Sequence, residues 1–191
     1  MQIILASGSP RRRELISLFG IPFTVAPADI DETMDPRRSP AEETARVSRL
    51  KALASECGPD DLIIAADTVV VCDGRILGKP ADRAEAVRML RMLSGRKHQV
   101  MTGCTIRRQQ EIETFTEVTD VYFRELTEEE ILRYVASGEP MDKAGAYGIQ
   151  GGAALFCSRI EGDYYNVVGL PVCALWSRLQ HCLHPQIGEN L

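Results

Sequence analysis

The chain has 191 residues, is 45% hydrophobic and 26% charged, and carries a formal net charge of −5. That length and composition fit one globular domain, or two small lobes sharing a core. They exclude a global basic field for a nucleic-acid backbone; no apolar run approaches the roughly 20 residues of a membrane span, and the N-terminus lacks a signal-peptide layout. Neither a nucleic acid nor a membrane is expected as partner. Six cysteines, Cys57, Cys72, Cys104, Cys157, Cys173 and Cys182, form no C-x-x-C pair. This argues against a zinc site and for a reducing, cytoplasmic setting.

Ile3–Ala6 reads as a short buried strand, and Ser7-Gly8-Ser9-Pro10 as the turn leaving it. Ser9 suits an N-cap and Pro10 the first helical position, so a helix is expected over Pro10–Phe19, with Leu15, Leu18 and Phe19 on its buried face. A strand Pro22–Ala26 and a polar loop Asp29–Ser39 follow. Pro40 opens a helix to about Cys57, stopped by Gly58-Pro59. Leu62–Cys72 is an apolar strand, and Asp73-Gly74 a hairpin turn into Arg75–Leu77. Asp82 and Glu85 resemble a capping box for a helix ending near Leu93. His98–Arg107 and Glu113–Phe123 read as long antiparallel strands and as part of a second lobe. Thr127 and Glu130 cap a helix ending at Gly138. A glycine-rich loop Glu139–Gly152 precedes an expected strand Ala153–Ile160. A last helix is expected over Pro171–Leu183, then a polar tail, 184–191. The alternation is that of an α/β protein with a mixed sheet.

Three clusters carry chemistry. Arg11, Arg12 and Arg13 fall in the first turn of a helix, where the dipole is positive and carboxylates are preferred. A local rule broken this plainly points to function. Free N–H groups, a glycine-bearing turn and guanidinium groups together make a phosphate trap. Helix phase turns Arg11 and Arg12 toward the core edge and Arg13 toward water. Next, Asp67 and Thr68 interrupt an apolar strand, and a buried carboxylate must find a metal, a cation or donors. The expectation is a metal-binding or general-base aspartate at a strand end. Last, Gln150 stands among Gly148, Gly151 and Gly152, where its amide offers a donor and an acceptor with the backbone unobstructed. Lys51 lies beside the apolar face of its helix. Lys79 and Lys143 lie in glycine-controlled loops, and Asp29, Asp31, Glu32 and Asp35 crowd one loop that could supply a hard oxygen ligand.

In chain order, Gly8-Ser9-Pro10-Arg11-Arg12, Ala66-Asp67-Thr68, Gly78-Lys79-Pro80, Leu93-Ser94-Gly95, Asp142–Gly151 and Val168-Gly169-Leu170-Pro171 resemble the Maf family of nucleoside triphosphate pyrophosphatases. The set resembles the bacterial branch acting on dTTP and UTP. The resemblance implies a mixed twisted sheet flanked by helices, as in inosine triphosphatases, in two lobes with a cleft between them. It covers a single domain over 1–183. It also implies cleavage between the α- and β-phosphates, a divalent cation (Mg²⁺ or Mn²⁺) and a homodimer. Asp67 matches the family's proton acceptor and, with Glu32, its metal site. Arg11, Thr68 and Gln150 match positions tied to substrate choice; Ser7, Arg12, Glu32, Lys51, Lys79 and Lys143 match polar cleft positions. Ala66 stands where the family often has glycine. Gln150 suits the N3–H and 4-oxo edge of uracil or thymine. The family's link to septum formation gives an alternative, a nucleotide-sensing module with low turnover; a third reading makes a modified pyrimidine nucleotide the substrate.

Overall fold

The computed structural model describes residues 2–56 and 58–183; the expected tail 184–191 and Cys57 lie outside them. Seven strands form one mixed sheet: β1 (Ile3–Leu5), β2 (Phe23–Val25), β3 (Leu62–Cys72), β4 (Arg75–Leu77), β5 (Lys97–Arg108), β6 (Glu111–Phe123) and β7 (Cys157–Glu161). Their order is β2-β1-β3-β5-β6-β7, with β4 also on β3. β1 runs parallel to β2 and β3, and every other pairing is antiparallel. The long β5–β6 hairpin therefore prolongs the same sheet.

The helices are α1 (Pro10–Ser17), α2 (Pro40–Ala54), α3 (Arg83–Leu93), α4 (Glu128–Ala136), α5 (Tyr164–Val168) and α6 (Val172–Leu183). Ser9 accepts from the Arg12 N–H and caps α1. Capping boxes start α2 (Ser39 with Glu42) and α4 (Thr127 with Glu130). Asp82 caps α3, while the Glu85 carboxylate reaches past it to the Ala81 N–H. One face of the sheet packs Leu5, Ile64, Ala66 and Val70 against α1, α3, α4 and α6 in the main core. The other face packs Ile63 and Ala65 against Ala52 of α2.

Four expectations need correction. Leu18 is 62% exposed; α1 ends at Ser17, and its buried face is Leu15 and Ile16. Residues 153–155 form a 3-10 turn, not a strand; the strand starts only at Cys157. Apolar composition misled there, because the turn begun at Gly148–Gly151 simply continues. Helix α5 was not expected. Its tyrosines and valines favour strands, but Asp163 caps its start and Gly169, with φ 126°, closes it. Finally, Asp67 lies in the middle of β3, not at its end.

α2 rests close against the sheet because β5 offers Gly103 there. A Cβ on Gly103 would stand 2.3 Å from the Thr44 carbonyl carbon and oxygen. Gly103 is also the cross-strand partner of Asp67. Gly103→Ala is therefore expected to push α2 outward and cost about 3 kcal/mol of stability in urea unfolding; an unchanged midpoint would remove this close packing as the reason for glycine.

Candidate active site

The sheet itself opens the site. β5 covers one edge of β3 from Ile63 to Val71. On the other edge, β1 pairs only with Leu62–Ile64 and β4 only with Val70–Cys72. Between them, residues 65–69 have no strand partner on that edge. A cleft of about 940 Å³ occupies this gap, and Asp67 and Thr68 line it. Alternation along β3 sends their side chains to opposite faces. Asp67 meets α2 on one face, and Thr68 meets α1 on the other.

On the α2 face, the Lys51 ammonium donates to Asp67 Oδ1 at 2.8 Å and lies 3.1 Å from Glu32 Oε1. Lys51 and Asp67 are both 7% exposed, whereas the Glu32 side chain is 55% exposed. Asp67 Oδ2 is buried without a hydrogen-bond partner. A buried pair of this kind holds each charge in place chiefly because neither can be left alone. Among the described residues, no three His, Cys, Asp or Glu side chains gather as a preformed metal cage. The orphaned Asp67 Oδ2 and the exposed Glu32 carboxylate instead fit a cation that keeps water and takes phosphate oxygens from a ligand.

On the other face, Arg12 is held by three neutral acceptors. Its Nε donates to the Gly169 carbonyl at 2.8 Å, Nη1 to Ser7 Oγ at 3.1 Å and Nη2 to Thr68 Oγ1 at 2.9 Å. Thr68 is linked onward to Thr102 at 2.9 Å. Burial pulls the Arg12 guanidinium below its ordinary range, and the Asp67 carboxylate pulls it back. It remains charged at any physiological pH. Three of its five N–H groups are taken by protein oxygens, so two remain for an anion. No carboxylate touches it among the described residues, which leaves the start of α1 strongly positive.

The opposite wall comes from the segment between α4 and β7. Asp142 pairs with Lys143 at 2.7 Å and reaches Arg11 across the cleft at 3.5 Å. The Lys143 ammonium also donates to the Glu139 carbonyl at 2.7 Å. Lys79 lies on the rim, in a loop fastened by a bond from the Gly145 N–H to the Gly78 carbonyl. Gln150 is exposed at the mouth. Behind this wall, Tyr147 is bonded to His98 at 2.9 Å, and burial pushes the imidazole pKa down to about 4. Arg13 is exposed, as helix phase requires.

All ten residues picked out by sequence, Ser7, Arg11, Arg12, Glu32, Lys51, Asp67, Thr68, Lys79, Lys143 and Gln150, line this one cleft. Sequence reasoning missed Asp142, Glu139 and the Gly169 carbonyl. Asp142 and Glu139 carried a signal, being acids beside a lysine in a glycine-rich loop; a backbone carbonyl carries none.

The Maf family pattern, described as Maf-like protein, matches residues 2–182. A dTTP/UTP pyrophosphatase of Bacillus anthracis (strain CDC 684 / NRRL 3495) is 49% identical over 180 residues, covering 94% of each chain. One of Bacillus cereus (strain AH820) matches to the same extent. Among solved structures, a HAM1 protein from Coxiella burnetii has a TM-score of 0.52 at 16% identity, over 95% of this chain and 99% of that one. That likeness speaks for the fold alone. With a match running from β1 into α6 and relatives this similar over nearly their whole length, the chain belongs to the Maf family.

Proposed function

We propose that this chain hydrolyses dTTP and UTP between the α- and β-phosphates, releasing the nucleoside monophosphate and pyrophosphate. The observation that carries the reading is the pairing of opposites on the unpaired edge of β3. A buried carboxylate with one free oxygen faces a cleft that gathers Arg11, Arg12, Lys51, Lys79 and Lys143. The names of the Bacillus relatives support the substrate class.

Phosphoanhydride hydrolysis is mostly positioning and charge stabilisation. Arg11, Arg12, Lys79 and Lys143 hold the triphosphate, and Ser7 orients Arg12. Lys51 fixes Asp67 through Oδ1, which leaves Oδ2 to take a proton from the attacking water. Asp67 and Glu32 would hold a divalent cation of the Mg²⁺ or Mn²⁺ type, which polarises a phosphate and lowers the pKa of bound water. Gln150 reads the 4-oxo pyrimidine edge, donating to O4 and accepting from N3–H.

A nucleotide panel with pyrophosphate detection tests the reading. Release from dTTP and UTP, with little from ATP or GTP, is the expected result; equal release from all four would overturn the selectivity. Gln150→Glu should lower kcat/KM for dTTP by about tenfold or more, because an acceptor would then face the O4 carbonyl. An unchanged dTTP-to-GTP ratio would remove Gln150 as the base reader.

A further inference from the structure

The glycines around Gln150 are there for a reason the sequence hides. A Cβ on Gly151 would stand 2.1 Å from Glu139 Oε1, and one on Gly148 would stand 2.6 Å from the Lys143 side chain. The Gln150 loop is thus folded directly onto Glu139. The Glu139 carboxylate accepts from the Gly152 N–H at 3.0 Å through Oε2 and from the Tyr134 hydroxyl at 2.9 Å through Oε1. The Tyr134 oxygen in turn accepts from the Gly148 N–H at 3.0 Å. Tyr134 is 7% exposed and is packed in the main core by α4. Both ends of the segment that presents Gln150 are therefore tied, directly or through one hydroxyl, to a single carboxylate.

We propose that Glu139 is the positioning residue of base recognition. With Tyr134 its carboxylate holds the loop 148–152 so that the Gln150 amide meets the nucleobase, while its main-chain carbonyl, which a side-chain substitution leaves in place, is the part that meets Lys143. The inference rests on Gln150 reading the base. It assigns selectivity to a carboxylate that borders the same cleft and is bonded to the loop, one that needs no contact with the substrate.

The test is a double-mutant cycle on dTTP hydrolysis with Glu139→Ala, Gln150→Ala and the pair. Glu139→Ala should raise KM about tenfold while kcat changes little, since a charge-assisted bond to the loop is lost and the phosphate site is untouched. Inhibition by inorganic pyrophosphate should stay the same. Adding Glu139→Ala to Gln150→Ala should cost little more, because one acts through the other. Glu139→Gln, which keeps an acceptor for Gly152, should recover most of the KM. If Gln150→Ala raises KM but Glu139→Ala does not, or if the two losses multiply in full, the positioning role is overturned and base reading stands. If Gln150→Ala leaves KM unchanged, base reading itself has failed. A fall in kcat and pyrophosphate affinity for Glu139→Ala, with KM constant, would mark a general folding role and also overturn the proposal.

Discussion

Asp67→Asn is expected to cut dTTP turnover by about a thousandfold, within the range a positioned general base contributes. The fold should survive the change. The amide still offers an oxygen to the Lys51 ammonium, and Lys51 keeps its second partner, Glu32, at 3.1 Å. The sheet around the position depends on other contacts, since Ala65 and Ala66 are fully buried on either face. Pyrophosphate release and a thermal melt on the same preparation check both halves. Near-normal turnover would remove Asp67 as the base; a lost melting transition would mean that the carboxylate serves the fold first.

Lys51→Met should act on stability more than any surface change. Methionine matches the length of the lysine stem but removes the donor to Asp67 Oδ1. Oδ2 already lacks a partner. The substitution would leave a carboxylate that is 7% exposed with neither oxygen paired. Breaking one side of such a pair costs about 3 kcal/mol or more, readable as a lower urea midpoint with an unchanged slope. An unaltered midpoint would show that Asp67 finds another donor in the free protein. Asp67→Asn should cost far less, and that inequality is the sharper test, because it separates an unpaired charge from a lost hydrogen bond.

Local chemistry was legible in the sequence wherever a short-range rule governs. Ser9-Pro10, Thr127 with Glu130 and the Asp73-Gly74 turn each set an element boundary through contacts within a few residues. The rule broken at Arg11 and Arg12 pointed to the cleft for the same reason. Reading failed where distant contacts overrule local preference. The segment 153–155 is apolar, as a buried strand would be, but no strand pairs with it, and Leu155 is 75% exposed. Asp67 was expected at a strand end because a charge inside a strand looks costly. Its position in mid-strand depends on β1 and β4 stopping short on the same edge, a fact of pairing that no window of β3 contains. The bond from Arg12 to the Gly169 carbonyl spans 157 positions and involves no side chain of Gly169, so nothing in the sequence announces it.

The gap on the edge of β3 has a consequence for how such a chain can change over generations. The carboxylate and its ammonium belong to the central strand and to a helix seated on it. On the reading proposed above, the base would be met by a separate loop that hangs from Glu139 and Tyr134. Hydrolysis and that part of nucleotide choice which rests on Gln150 would then be inherited as separable traits. Since Gly148 and Gly151 have no room for a side chain and Ile149 is buried in the core, a replacement at Gln150 is the change that would retarget the protein to a new base while Asp67 and Lys51 stay where they are.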